Sequence, residues 1–149
     1  MPEKRTLERA RRDIEEGKSP STQAGEFVKE EIDHIRKGKH GARSAKQAIA
    51  IGLSKARRAG IDLPPPKAGS GAKKMRAQAV RDSEKGKKKG AAFSVERSRA
   101  TSAALKREGR SAASTVSLSR QAKSASRKRT ATQRSASAKK ASRTRNSNR

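Results

Sequence analysis

Cysteine, tryptophan and tyrosine are absent from the 149-residue chain, and phenylalanine occurs only at Phe27 and Phe93. Without Cys there are no disulfides, thiolate metal sites, iron–sulfur clusters or thiol nucleophiles, a composition that fits a reducing cytosol. Without aromatic platforms bases cannot be held by stacking, so contact with nucleic acid has to work through phosphate charge. Long apolar runs are missing too. The longest, Ala48–Ile51, is far short of the about 20 residues that a membrane helix needs. The opening MPEKRTLERARRD has no apolar h-region, and Glu3, Glu8 and Asp13 are foreign to a mitochondrial presequence. A soluble, cytoplasmic protein without a membrane partner is expected.

Acidic residues are also scarce: 14 Asp or Glu stand against 40 Lys or Arg, for a formal net charge of +26. Leu, Ile, Val and Phe number 17, or 11% of the chain, well under the roughly 20% below which a highly charged sequence is expected to be disordered. This balance excludes most enzymes and points to a polyanionic partner.

The few large apolar residues are unevenly spread. Residues 1–66 hold 11 of the 17, with 15 basic and 10 acidic side chains, whereas residues 67–149 carry 25 basic and 4 acidic ones. Pro64-Pro65-Pro66 followed by Lys67-Ala68-Gly69-Ser70-Gly71 makes a stiff step and then a flexible one. The expected architecture is all-α. A small three-helix N-terminal module covers residues 1–63, a Pro/Gly linker 64–72, and a basic Ser/Ala-rich low-complexity tail, mostly disordered, 73–149.

Helical spacing places Leu7, Ala10 and Ile14 on one face of a first helix stopped at Gly17. Ser19-Pro20 opens a second, lined by Ala24, Phe27, Val28, Ile32 and Ile35 and closed by Gly38. In the third, Ser44 and Gln47 form a capping box. Ala45, Ile49, Gly52, Leu53 and Ala56 make its inward stripe, and Gly60 is placed for a left-handed cap with Ile61 folding back. Weaker periodicity suggests further helices over Lys73–Glu84 and Ser94–Glu108.

The stretch STQAGEFVKEEIDHIRKGKHGARSAKQAIAIGLSKARRAGIDLPPP, residues 21–66, and within it KQAIAIGLSKARRAG, Lys46–Gly60, resembles a family of small basic bacterial proteins usually carried as uncharacterised and sometimes labelled DNA-binding or plasmid-stabilisation proteins. ALKREGRSAAS, Ala104–Ser114, is similar to a second block in some longer members. The resemblance implies a bacterial, nucleoid-associated or accessory role, and brings no mechanism, catalytic residue or cofactor.

No catalytic set is legible. Ser is abundant, but no G-x-S-x-G elbow or Ser-His-acid set exists, and Gly69-Ser70-Gly71-Ala72-Lys73-Lys74 lacks the spacing of a phosphate loop. His34 and His40, the only histidines, are six apart rather than i, i+4, so no metal site is expected. Cations dominate instead. Arg43, Lys46, Lys55, Arg57 and Arg58 on or near the third helix, Lys73, Lys74, Lys87, Lys88 and Lys89 beyond the linker, and Arg127, Lys128, Arg129, Lys139 and Lys140 near the end are the candidate nucleic-acid contacts. From Gly109 to Arg149 there are 12 Lys or Arg and no acid, a composition that resembles linker-histone and bacterial histone-like tails in its physics. The expected function is non-enzymatic, largely sequence-independent binding of nucleic acid, DNA favoured over RNA, in the bacterial nucleoid. The alternative is an adaptor whose acidic-faced second helix docks a protein while the tail holds DNA or RNA. Homodimerisation through the helical module is a further expectation.

Overall fold

Helix starts and stops follow the local chemistry of the chain. The computed structural model describes residues 2–66, 73–88 and 94–147. They form α1 (Lys4–Glu15), α2 (Pro20–Arg36), α3 (Ala45–Arg58), α4 (Lys73–Lys87), α5 (Val95–Lys106), a 3₁₀ turn (Ser111–Ala113), α6 (Thr115–Arg127) and α7 (Ala131–Ser147). Gly17, Gly38 and Gly60 all take positive φ, so each expected stop is a left-handed cap. Behind Gly60, the Ile61 N–H donates to Ala56 O at 3.1 Å and Ile61 is buried, closing α3 as a Schellman motif. The Gln47 N–H donates to Ser44 Oγ at 3.2 Å, but Gln47 Oε1 accepts from Arg43 N at 2.7 Å. The return half of the capping box therefore reaches one residue further back than expected.

Two apolar clusters hold the first half. Ala10, Ala24, Phe27, Ala56, Ile61 and Leu63 form one, with Leu7 and Leu53 packed against it. Ile35, Ala42, Ala48, Ala112 and Ala113 form the other, with Ile32 alongside. The stripe of α3 that is buried is Ala45, Ala48, Gly52 and Ala56, with Leu53 flanking it. Gly52 lets α3 approach the α2 backbone closely. A Cβ there would lie 2.6 Å from Val28 Cα and 2.9 Å from Val28 N. Ile14, expected inside, is 52% exposed, and Thr6 and Asp13 take the inward positions of α1.

The expectation of a largely disordered basic tail is overturned: helices continue through residue 147, and part of the expected tail completes the N-terminal fold. In α4, Ala79 and Asp82 are buried. Asp82, 1% exposed, accepts from Ser54 Oγ at 2.6 Å, Arg58 Nε at 2.8 Å and Gln78 Nε2 at 3.0 Å, which pins α4 to α3. Further on, Gly41 N donates to Leu105 O at 2.8 Å, Ala42 N to Gly109 O at 3.0 Å and Arg36 Nε to Ala113 O at 3.0 Å. A Cβ on Gly41 would overlap the Glu108 carbonyl. The Ala104–Ser114 block thus lies directly on the connector between α2 and α3.

The physical reason is alanine. Among the described residues, nine of the thirteen buried apolar ones are Ala, which a tally of large aliphatic side chains does not count. Ala, Lys and Arg are also good helix formers, so a Ser/Ala/Lys/Arg chain takes helix wherever caps and small packing surfaces are offered.

The chain divides into two compact units, Met1–Ser114 and Thr115–Arg149. In the second, Thr130 and Gln133 form a reciprocal capping box: Gln133 N donates to Thr130 Oγ1 and Thr130 N to Gln133 Oε1, both at 3.2 Å, which starts α7. No residue of α6 is buried. No described helix is long and apolar enough to cross a membrane.

Candidate nucleic-acid interface

The cations read from the sequence fall into two groups, those spent inside the fold and those presented outward. On α3, Lys55 Nζ lies 2.6 Å from Glu31 Oε2 and 3.7 Å from Glu30 Oε1, with both carboxylates buried. Arg57, 9% exposed, donates to Leu63 O at 3.5 Å and Pro64 O at 3.3 Å, fastening the segment after the helix. Arg58 is the partner of Asp82, although half of its side chain remains in solvent. An ion pair of this kind inside a protein offsets a desolvation cost, and removing one member leaves a buried charge uncompensated. Three of the five cations placed at α3 therefore answer internal acceptors.

The others face outward. Arg43 is exposed and only loosely paired with Glu108, at 3.7 Å; Lys46 is exposed. Lys73, Lys74, Lys87 and Lys88 are exposed on or just beyond α4, and Lys89 lies outside the described residues, as do residues 67–72 of the expected linker. In the second unit Arg127, Lys128, Arg129, Lys139 and Lys140 are all exposed. Arg129 bridges to Gln133 O at 2.8 Å and to Ser137 Oγ.

The structure adds Arg120 and Lys123 on α6, and Arg134, Arg143 and Arg145 on α7, to the candidate cations. Arg120, Lys123, Ser124, Arg127 and Lys128 line a shallow depression along α6. Their spacing of i, i+3, i+4, i+7 and i+8 is the signal that identifies one helix face. The three cations Arg120, Lys123 and Arg127 span about 10 Å of helix axis at 1.5 Å per residue. Arg134, Lys139, Lys140, Arg143 and Arg145 extend the charge along α7, all exposed. From Thr115 to the end there are 11 Lys or Arg and no Asp or Glu, so no side-chain carboxylate of this unit competes for them.

A separate cluster collects at the start of α1, the end of α2 and the connector that follows. Glu3 Oε1 lies 2.8 Å from both Lys39 Nζ and His34 Nε2. The Lys39 ammonium, and after it His34, hold the Glu3 carboxyl down at about 2. At the turn between α1 and α2, Asp13 first and Glu16 second hold the Lys18 ammonium above the ordinary lysine range. His34 and His40, which their spacing had kept apart, are brought together with Glu31. The legible part of that grouping was Glu31 and His34, three apart on one helix; the approach of His40 depends on the fold of the connector.

Residues 5–68 match the model of a family of unknown function, DUF6496. That span covers α1 to α3 and ends before α4. No curated protein and no solved structure matches the chain.

Proposed function

We propose that the protein is a non-enzymatic, largely sequence-independent binder of duplex nucleic acid, DNA in preference to RNA, acting through phosphate neutralisation by the exposed cations of α6 and α7, with Lys73, Lys74, Lys87 and Lys88 of the first unit as secondary contacts. The observation that carries the proposal is the second unit: 11 cations in 35 residues, no acid and no aromatic side chain, with the ten described cations all exposed. A cationic helix suits the B-DNA major groove, which admits an α-helix, better than the deep, narrow major groove of A-form RNA. The lack of Phe, Tyr and Trp in this unit weighs against single strands, whose binding draws on stacking.

The adaptor reading loses ground at its docking face. Glu30 and Glu31 are buried against Lys55, and Glu26 is within 3.5 Å of Arg9, so the acidic face of α2 is spent within the first unit. Titration with length-matched duplex DNA, duplex RNA and single strands over a range of salt tests the proposal. Engagement of ten phosphates predicts a slope of log affinity against log salt near −9 on duplex DNA, with little dependence on sequence. Tighter binding to single strands than to duplex, or an affinity indifferent to salt, would overturn it.

A further inference from the structure

We propose that Glu31, His34 and His40 form a binding site for one divalent transition-metal ion, Zn²⁺ by the character of its ligands, a site independent of the nucleic-acid contacts. One donor atom from each of the three side chains lies within 4.8 Å of the other two. Glu31 and His34 stand three apart on α2 and share a face; His40 arrives from the connector, its ring edge-on to His34 with centroids 6.1 Å apart. Two imidazole nitrogens and one carboxylate oxygen are a donor set suited to Zn²⁺, with a fourth position left for water.

The second line of argument is Glu31 itself. It is fully buried, and its Oε1 has no hydrogen-bond donor. Lys55 sits at Oε2 as an ion pair. On the other side Oε1 faces His40 Nε2 at 3.3 Å. Ligands held about 2.0 to 2.1 Å from a tetrahedral metal are separated by roughly 3.3 to 3.4 Å, so this pair already stands at the spacing a shared ion imposes. His40 Nδ1 lies 3.1 Å from Gly41 O. A carbonyl only accepts, so the Nδ1 proton is directed there and, in the neutral ring, Nε2 turns a lone pair toward the Glu31 carboxylate. Two acceptors facing each other in a buried place call for a positive charge between them, which a proton or a metal ion can supply. A backbone carbonyl behind one imidazole and a carboxylate, Glu3, against the other are the supports commonly found around metal-binding histidines.

Charge balance points the same way. Glu30 and Glu31 bring two negative charges into the interior and Lys55 returns one positive charge. The pair keeps one net negative charge, which the shorter contact of Lys55 leaves mostly on Glu30, the neighbour of Glu31 in sequence. A metal ion at the site would tie α2 to the connector that carries Gly41 and Ala42, the residues on which the 105–113 segment rests.

The chain has only two histidines, so the imidazole C–H proton resonances of the full-length protein report on the site without any substitution. One equivalent of Zn²⁺ at neutral pH should shift both histidines and saturate, and Co²⁺ should give the visible absorption of a tetrahedral site. His40→Ala, checked for retained helix by circular dichroism, should weaken Zn²⁺ binding by about 100-fold or more. If either imidazole remains unmoved by Zn²⁺ in the wild-type protein, the proposal fails. Equal affinity in wild type and His40→Ala would also overturn it, because the ion would be held elsewhere.

Discussion

The first 114 residues and the last 35 are both strongly cationic, yet they use their charge in opposite ways. All 14 acidic residues lie in the first unit among 29 Lys and Arg, whereas the second has 11 cations and no acid. In the first, Lys55, Arg57 and Arg58 satisfy buried carboxylates and carbonyls. In the second, the described cations are exposed, and their spacing on α6 gathers them along one face. Net charge alone does not separate these cases. A cation is available to a partner only when no internal acceptor has claimed it, and that depends on which carboxylates the fold buries.

The largest effect should come from the outward charges. Replacing Arg120, Lys123, Arg127 and Lys128 together by Gln removes up to four phosphate contacts, which should flatten the salt slope by about 3 to 4 and raise the dissociation constant by about two to three orders of magnitude at physiological salt. Fluorescence anisotropy with duplex DNA measures both. A matched change of Lys55, Arg57 and Arg58 should move the melting temperature first and the salt slope little, and the reverse result would erase the contrast between the units.

Next in size is Gly52→Ala. The added methyl meets the Val28 backbone, which no rotamer change can relieve, so α2 and α3 must separate at a cost of about 1 to 3 kcal/mol or more. Thermal unfolding followed by circular dichroism should show a clear fall in Tm, with an unchanged salt slope for whatever remains folded. An unchanged Tm would mean that α3 does not sit this close to α2.

Asp82→Ala tests the attachment of α4. It strips three donors of their acceptor, worth about 1.5 to 3 kcal/mol for a charged hydrogen-bonded group. Amide exchange should speed up in α4 while the first apolar cluster keeps its protection. Loss of protection throughout α1 to α3 would show that α4 is integral to the core.

The smallest effect concerns Glu3. Its carboxyl, held down by Lys39 and His34, should titrate at about 2 by carboxyl-carbon NMR, and Lys39→Ala should return it toward the ordinary value of 4.5. Because the folded state lowers this value, the contribution to stability is present above the ordinary glutamate range and disappears as pH falls from there toward 2. A normal midpoint in the wild-type protein would remove the Glu3 contacts from the account.

Much of the first three helices is legible in the sequence. Proline at Pro20, glycines at Gly17, Gly38 and Gly60, and the Ser44 cap are local signals that tertiary contacts do not override. The ordered C-terminal part was missed for two physical reasons. Thr130 and Gln133 are spaced as a capping box, but they sit in low-complexity surroundings where apolar periodicity is absent, whereas the weak periodicity of Ser94–Glu108 does mark α5. The core itself is largely alanine, and a methyl group contributes to packing through close backbone approach rather than through large buried area. The internal use of Lys55 and Arg58 was not legible at all, since it depends on Glu31 and Asp82, 24 positions away in each case, being buried opposite them.

The seam between the α2–α3 connector and the 105–113 segment has a consequence for the order of assembly. Arg36 and Ala113 are 77 residues apart, and closing a loop of that length costs about 2 kcal/mol more in chain entropy than closing one a tenth as long. At a synthesis rate of roughly 5 to 20 residues per second, α1 to α3 spend seconds in contact before Ala112 and Ala113 exist to cover Ile35 and Ala48. During that interval a small apolar surface stands open on the nascent chain. The N-terminal half is therefore born incomplete, and its second cluster is sealed only by the segment that leads into the cationic helices.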